Sequence, residues 1–309
     1  MSILFHCTFP NEKKWLKSVR KKFNRHKVFT INDKFNFNEI HYAIIWNLPD
    51  KVLRKLVNLK VIFSLGAGVD HIINTPSYKN VPILRVKDPN MAKRMSYHVH
   101  SQILNYQLKL NLFQKAQLKK KWLGEMETLL NHEITIGILG AGFLGTAVGK
   151  YLKKMEYKVI GFKKNYSQSI KPFKLYSKKN INMFIKSSNI VVSILPSTKE
   201  TENFIDLNFL KQMKKDALLI NIGRGVSLNE NHLLQHLNKN KNFYVSLDVF
   251  KKEPLPKTHK FWNHPNIIVT PHAAALTDID SSIDLMHSRY LAFIKTGKIK
   301  SDVDLKKGY

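Results

Sequence analysis

Short apolar runs alternate with mixed, helix-like stretches over residues 1–98. Apolar runs at residues 2–7, 42–46, 61–64 and 83–85 have the length of buried strands. Residues 51–59 between them are predicted to be helical. Alternation of strands and helices predicts a parallel α/β sheet.

A long helix is predicted next, over residues 96–120, with apolar side chains such as Val99 and Ile103 at near-helical spacing. A second α/β region begins at residue 134, and a final helix is predicted over residues 278–295. The apolar runs of the second region predict six strands, at residues 134–139, 157–162, 190–195, 218–222, 244–249 and 267–269. The pattern therefore predicts two doubly wound parallel-sheet domains.

A Gly-x-Gly-x-x-Gly motif, formed by Gly140, Gly142 and Gly145, stands between a predicted strand and a predicted helix. The first glycine permits a tight turn, the second lets a pyrophosphate approach the backbone, and the third lets helix and strand pack closely. The helix N-terminus then faces the phosphates. In this context the motif predicts a dinucleotide site rather than an ordinary glycine-rich turn.

The end of the second strand of this region carries Lys163 and Lys164. A domain that binds NAD usually has Asp or Glu there, about 20 residues after the glycine motif, to hold the ribose 2′-hydroxyl. Lysines attract a 2′-phosphate, whereas a carboxylate would repel it. Although the lysines also fit a generally Lys-rich chain, the missing acid predicts that NADPH is preferred over NADH.

Arg224, Glu253 and His272 each follow a predicted strand of the second region. A guanidinium can fork onto a carboxylate and an adjacent carbonyl oxygen. Histidine titrates in the range needed to protonate a ketone oxygen during hydride transfer, and a carboxylate can orient its ring. Each residue alone could be structural, but their order after the glycine motif predicts a hydride-transfer site.

The net charge of +29 admits a nucleic-acid or anionic-membrane surface. The lysines are spread along the chain without a zinc-finger spacing or an RNA-recognition motif, which favours a solvated Lys-rich surface. We assign no metal site. The one cysteine, Cys7, cannot form an internal disulfide, and no apolar run is long enough to span a membrane, so a cytoplasmic location is expected.

Four further segments carry a family resemblance: Ser64-Leu-Gly-Ala-Gly-Val-Asp70, Leu247-Asp-Val-Phe250, Glu253-Pro-Leu-Pro256 and the Gly308-Tyr309 ending. With the glycine motif they resemble the D-isomer-specific 2-hydroxyacid dehydrogenase family over essentially the whole chain, and in particular its glyoxylate/hydroxypyruvate reductase branch. The resemblance implies NADPH-dependent reduction of glyoxylate to glycolate and of hydroxypyruvate to glycerate.

The same resemblance implies that Arg224 binds the substrate, that His272 is the acid–base and that Glu253 supports it. Trp46 resembles a substrate-pocket tryptophan, although a core aromatic is an equal alternative. The implied backbone contacts to the substrate carboxylate come from Gly66, Ala67, Gly68 and Val69. The expected cofactor contacts are Gly140, Gly142, Phe143, Leu144, Gly145, Lys163, Lys164, Leu195, Pro196, Ile222 and Asp248.

The resemblance also implies a discontinuous, flavodoxin-like substrate domain made of residues 1–98 with 278–309. Residues 99–277 would form the Rossmann dinucleotide-binding domain, and two chains would form a homodimer built largely on the long mid-chain helix. The chain departs from the family pattern at Tyr97 and Lys87-Asp88-Pro89, in a stretch where related enzymes carry different, often acidic, residues, which bears on details of the cleft and the dimer.

Two alternatives remain open from the sequence. One is a D-lactate-type or other dehydrogenase of longer 2-hydroxyacids. The other is a dinucleotide-sensing regulatory or nucleic-acid-binding protein on the same fold. Arg224, Glu253 and His272 argue against the second alternative, because a sensor needs no proton donor.

Overall fold

The computed structural model describes residues 2–164, 172–305 and 308, so Tyr309 of the Gly308-Tyr309 ending lies outside the described residues. The chain divides into two compact units, Met1–Met91 with Thr277–Tyr309, and Ala92–Leu276. The sequence placed the first boundary after residue 98. Both positions lie within one uninterrupted helix, so the chain has no local break there.

The first unit contains a five-stranded parallel sheet in the order β2-β1-β3-β4-β5, which is the flavodoxin-like order. Its elements up to the boundary are β1 (Ser2–His6), α1 (Glu12–Lys22), β2 (Lys27–Thr30), β3 (Ile40–Ile45), α2 (Asp50–Leu53), β4 (Val61–Ser64), α3 (Asp70–Ile73) and β5 (Ile83–Arg85). Helix α4 (Pro89–Gln107) begins at the end of this unit and continues into the next.

The second unit contains a seven-stranded parallel sheet. Its elements after α4 are α5 (Leu110–Leu118), β6 (Thr135–Leu139), α6 (Phe143–Lys154), β7 (Lys158–Phe162), β8 (Lys174–Tyr176), α7 (Ile181–Ser187), β9 (Ile190–Ser193), α8 (Leu207–Gln212), β10 (Leu218–Asn221), α9 (Glu230–Lys239), β11 (Tyr244–Leu247) and β12 (Ile267–Val269). The strand order is β12-β11-β10-β9-β6-β7-β8, and it reverses direction between β6 and β9. Ligands of such sheets bind at this switch point, beyond the carboxyl ends of the strands. The predicted class of two doubly wound parallel sheets is confirmed.

Both faces of the second sheet are buried, because neighbouring residues of each central strand enter different apolar clusters. In β9, Val191 packs into one cluster, while Ile190 and Val192 pack into the other. Val99 and Ile103 of α4 belong to this second cluster. Burial on both faces explains why these strands read as nearly continuous apolar runs in the sequence.

The helix predicted over residues 96–120 is interrupted. Helix α4 ends at Gln107 and α5 begins at Leu110, because Lys109 adopts a left-handed conformation with φ of 56°. The helix predicted at residues 51–59 is limited to α2, Asp50–Leu53. No helix in the described part of the chain is both long and apolar enough to cross a membrane.

Strands β2 and β8 were not predicted. Each lies at an edge of its sheet and has only three or four residues, with sequences Lys-Val-Phe-Thr and Lys-Leu-Tyr. So short a run has no recognisable period of its own. Its conformation depends on pairing with the neighbouring strand.

Helix α10 (Ile279–Thr296) and the residues after it complete the first unit. Ser18 of α1 donates a hydrogen bond to Asp280 at 2.9 Å. Beyond α10, Asp302 donates its backbone N–H to Ile83 of β5 at 2.8 Å. Its carboxylate, on a side chain that is 9% exposed, is paired with Lys87 and Arg289. Burial would raise the pKa of Asp302, but hydrogen bonds from Arg289 and Lys87 and their charges lower it below its usual value. The last segment of the chain is therefore bound to the edge strand.

Candidate active site

The glycine turn connects β6 to α6 through close backbone contacts. Gly140 has φ of 106°, and a Cβ there would lie 2.8 Å from the carbonyl oxygen of Ile194. A Cβ on Gly145 would lie 2.1 Å from the carbonyl oxygen of Gly140. A Cβ on Gly142 would instead meet nothing within 4 Å. The turn is therefore closed toward the protein and open at Gly142, as the approach of a pyrophosphate requires.

Helix α6 begins directly after this opening. Gly142 precedes its first residue, Phe143, and no side chain caps the helix start. Phe143 is exposed, whereas Leu144 is half-buried and packs against the core. Backbone N–H groups at an uncapped helix start favour a negatively charged ligand. These features fit the diphosphate of a dinucleotide.

The end of β7 lies beside the glycine turn. The carbonyl oxygen of Phe162 accepts hydrogen bonds from the N–H groups of Gly140 and Ala141, both at 3.1 Å. Lys163 and Lys164, which follow Phe162, are therefore placed next to the turn. Residues 165–171 lie outside the described residues.

Lys164 forms an ion pair with Glu200, a residue that sequence reasoning did not identify. The two residues are 36 positions apart, and Glu200 lies on the loop between β9 and α8. No periodicity or motif in the sequence links them. The contact is visible only once the sheet brings the two loops together.

Other predicted cofactor residues lie on loops that leave β9 and β10. Leu195 and Ile222 are buried, and the carbonyl oxygen of Pro196 accepts a hydrogen bond from the Thr201 hydroxyl at 2.6 Å. A Cβ on Gly223 would lie 2.6 Å from the backbone nitrogen and oxygen of Leu195. The two loops are therefore in direct backbone contact. Their contacts with a cofactor stay a prediction.

Arg224 follows β10 and is half-buried. Its guanidinium donates a hydrogen bond to the carbonyl oxygen of Gly223 at 3.0 Å. Its own carbonyl oxygen accepts from the hydroxyl of Ser227 at 2.7 Å, which fixes the backbone of the loop. The loop thus has a defined conformation around Arg224.

Glu253 and His272 form a hydrogen-bonded pair. His272 Nδ1 lies 2.8 Å from Glu253 Oε2, and Glu253 Oε1 accepts from the backbone N–H of Phe250 at 2.9 Å. The His272 side chain is 47% exposed and the Glu253 side chain is 35% exposed. Burial would raise the pKa of Glu253, but hydrogen bonds from His272 and Phe250, with the charges of His272 and Arg224, hold it below its usual value. Glu253 is therefore ionised at neutral pH, and a carboxylate faces the imidazole.

Asp248 holds the segment that carries His272. Its carboxylate, which is almost fully buried, accepts from the hydroxyl of Thr270 at 2.6 Å and from the N–H groups of Ala273 and Ala274, both at 2.9 Å. The backbone N–H of His272 donates to the carbonyl oxygen of Asp248 at 2.8 Å. His272 itself has φ of 53°. The cofactor contact expected of Asp248 stays a prediction, and the structure adds this anchoring contact, in which Thr270 takes part.

The predicted substrate loop lies in the first unit, after β4. Its carbonyl oxygens at Gly66 and Gly68 accept from the N–H of Val86 at 3.3 Å and from the Ser64 hydroxyl at 3.0 Å. Ala67 is half-buried and Val69 is buried. The loop is thus held by hydrogen bonds at both ends, and its contact with a substrate carboxylate stays a prediction.

The half-buried Trp46 covers part of this loop. Its ring lies 2.6 Å from where a Cβ on Gly66 would be. The ring centroids of His71 and Phe9 are 4.1 Å and 4.9 Å from that of Trp46. The tryptophan therefore shapes the surface of the loop, and both interpretations of it stay predictions.

In the second unit, the arrangement combines three chemical capacities. The open glycine turn can hold a dinucleotide diphosphate, Arg224 offers a guanidinium, and His272 offers an imidazole whose Nδ1 faces the carboxylate of Glu253. Together they can bind an anion and move a proton at His272 Nε2.

Comparison with known proteins gives full-length matches. Residues 100–274 match the family described as D-isomer specific 2-hydroxyacid dehydrogenase, NAD binding domain. The chain is 30% identical to a protein named glyoxylate/hydroxypyruvate reductase A from Photorhabdus laumondii, and 31% identical to one of the same name from Serratia proteamaculans. Each match covers 100% of both proteins.

Solved structures agree with these matches. A D-isomer specific 2-hydroxyacid dehydrogenase from Xanthobacter autotrophicus Py2, in complex with NADPH and MES, superposes with a TM-score of 0.92 at 26% identity, covering 100% of this chain and 99% of the other. An NADPH-dependent glyoxylate/hydroxypyruvate reductase from Sinorhizobium meliloti, in complex with NADP and sulfate, gives 0.92 at 27% identity with both chains fully covered. With its NAD(P)-binding unit and its family match, this chain belongs to the D-isomer specific 2-hydroxyacid dehydrogenase family.

Proposed function

We propose that this protein is an NADPH-preferring reductase of small 2-oxoacids, with glyoxylate and hydroxypyruvate as its first substrates. The observation that carries the proposal is the hydrogen-bonded pair of Glu253 and His272. Arg224 belongs to the same dinucleotide-binding unit, and its positive charge acts on the Glu253 carboxylate of this pair. The names of the full-length relatives support this substrate class.

Arg224 is the proposed substrate anchor. A guanidinium donates two parallel hydrogen bonds, so it can hold the carboxylate of a 2-oxoacid and its adjacent carbonyl oxygen in one plane. The hydrogen bond from Nη1 to the carbonyl oxygen of Gly223 fixes the guanidinium and uses one of its five donors. In the first unit, the backbone of residues 66–69 is proposed to add N–H donors to the substrate carboxylate.

His272 is the proposed proton donor. When bound, the nicotinamide dinucleotide supplies hydride to the carbonyl carbon. His272 Nδ1 is hydrogen-bonded to Glu253, so Nε2 is the atom that gives its proton to the carbonyl oxygen. The ionised Glu253 is hydrogen-bonded to His272 Nδ1 and fixes the ring orientation. The product is the corresponding 2-hydroxyacid.

Lys163 and Lys164 support the preference for NADPH. They directly follow β7, beside the glycine turn, where the 2′-phosphate of the cofactor would meet a positive charge. The NADPH and NADP in the two matching structures agree with this proposal for the present chain.

We also propose that two copies of the chain associate through α5 and the residues after it. Leu118 and Trp122 are 87% and 97% exposed, and the same stretch exposes Leu110, Phe113, Leu123, Met126, Leu129 and Leu130. Apolar side chains concentrated in one stretch of a monomer indicate an interface. A second copy is the partner that the family resemblance implies.

The association predicts a species of twice the monomer mass in sedimentation at micromolar concentration. Replacing Trp122 and Leu118 together by Ser should shift it toward the monomer, because the apolar contact area is lost. Val57→Ser, at an exposed apolar residue of the first unit, is the matched control. A wild-type protein that sediments as a monomer would contradict the proposal.

The first test of the function is oxidation of NADPH and NADH, measured in parallel, with glyoxylate or hydroxypyruvate. We expect fast turnover with NADPH and slower turnover with NADH. Turnover with NADH alone would contradict the role of the two lysines while leaving the proton donor intact. Turnover only with longer 2-oxoacids would favour the D-lactate-type alternative, and no turnover combined with salt-sensitive DNA binding would favour the sensor.

Arg224→Ala and His272→Ala should have different kinetic effects. Arg224→Ala should raise KM and lower kcat, because carboxylate binding and orientation are both lost. His272→Ala should lower kcat by about 100-fold or more with little change in KM. Arg54→Ala and His132→Ala, at exposed positions, are the matched controls. Near-wild-type rates for both active-site variants would refute the assigned roles.

Glu253→Gln should lower kcat by about tenfold or more with little change in KM, because a neutral amide replaces the carboxylate that is hydrogen-bonded to His272 Nδ1 and fixes the imidazole ring. Glu202→Gln, which removes an exposed carboxylate elsewhere, should leave kcat unchanged. A kcat of Glu253→Gln equal to that of Glu202→Gln would contradict the supporting role of Glu253.

A further inference from the structure

Glu200 brings a carboxylate to the end of β7, where the adjacent residues of the sequence are Lys163 and Lys164. Lys164 follows β7, and the carbonyl oxygen of Phe162 at the end of that strand is bonded to the glycine turn. The loop after β9 reaches the same place from the other side, since a Cβ on Gly140 would lie 2.8 Å from Ile194 of this loop. Glu200 and Lys164 join across the turn as an ion pair.

Two ammonium groups act on the Glu200 carboxylate. The hydrogen bond and charge of Lys164 lower the pKa of Glu200, with a smaller lowering from Lys178, and together they outweigh the effect of burial. The carboxylate thus lies where the positive charges of Lys164 and Lys178 both attract an anion. A phosphate held near the same lysines would meet those charges as well, and it would meet the negative charge of Glu200.

The backbone holds Glu200 in this position. Within its turn, the Thr201 hydroxyl donates to Pro196 at 2.6 Å and also accepts from the N–H of Thr198 at 2.9 Å. After the turn, the N–H of Asn203 donates to Val226 at 2.8 Å. Glu200 is therefore presented by a hydrogen-bonded turn and not by an unstructured loop.

The ion pair itself contributes little to stability. The Lys164 and Glu200 side chains are 46% and 65% exposed, and exposed pairs of this kind add little to the stability of the fold. Because the pair is weak, a stronger anion can take Lys164 from it at small cost. A phosphate carries about −1.5 to −2 charge near pH 7, against −1 for a carboxylate.

We propose that Glu200 is a cofactor-specificity residue whose carboxylate competes with the 2′-phosphate of NADPH for Lys164 and so moderates the preference for NADPH over NADH. The inference rests on the proposed function, because it assigns the 2′-phosphate to the end of β7. NADH carries a hydroxyl at this position, so it leaves the Lys164–Glu200 pair intact. In NAD-binding domains, an acidic residue after the second strand distinguishes NAD from NADP. Glu200 takes part in the same distinction, but from the loop after β9.

The test is calorimetric binding of 2′,5′-ADP and 5′-AMP to the full chain at low salt. Glu200→Gln should bind 2′,5′-ADP about fivefold more tightly than the wild type, the scale expected for removing one screened surface charge, and 5′-AMP with unchanged affinity. Glu202→Gln is the matched control, since it removes the same charge from an exposed residue two positions away and should change neither affinity more than about twofold. The Glu200 effect should shrink at high salt.

Two results would overturn the inference. One is an affinity of Glu200→Gln for 2′,5′-ADP equal to that of Glu202→Gln. The other is weaker binding, which would mean that Glu200 holds Lys164 in place for the phosphate and does not compete with it. If the wild type binds 2′,5′-ADP no better than 5′-AMP and Glu200→Gln does the same, the proposed NADPH preference fails together with the inference. Tight binding of 2′,5′-ADP by the wild type, unchanged in Glu200→Gln, leaves the proposed function standing.

Discussion

The site of the second unit depends on one constraint, which is that all strands of its sheet run in parallel. Their carboxyl ends therefore lie along a single edge, and every loop that leaves them meets its neighbours there. The glycine turn follows β6, the two lysines follow β7, Arg224 follows β10 and His272 follows β12. Residues far apart in the chain thus share one edge, while the central strands β6, β9 and β10 beneath them are buried on both faces.

Two carboxylates at this edge, those of Asp248 and Glu253, act on His272 in different ways. Asp248 is buried, and its hydrogen bonds go to Thr270 and to backbone N–H groups, so its charge serves the conformation of the His272 segment. Glu253 is more exposed and pairs with the imidazole itself. One carboxylate shapes the backbone and the other acts on the proton-bearing ring. Removing either would disturb His272 by a different physical route.

The sequence predicted much of this arrangement because its signals are local. The glycine motif, Arg224, Glu253 and His272 can be read from strand ends and residue types, and the long central strands from their apolar runs. Edge strands β2 and β8 carry too few residues for a period, and the break at Lys109 occurs without Gly or Pro. The pair of Lys164 and Glu200 depends on two loops meeting in space, so no local pattern contains it.

The binding of Asp302 to β5 has a consequence for the order in which the two units can fold during synthesis. The second unit is one continuous stretch, Ala92–Leu276, so all its residues have been synthesised before the last part of the chain appears. The first unit lacks α10 and the partners of Lys87 until Thr277–Tyr309 has been translated. During synthesis the nucleotide-binding half can therefore fold first, while the N-terminal sheet, although made earlier, lacks its contacts with α10 and Asp302 until those residues have left the ribosome.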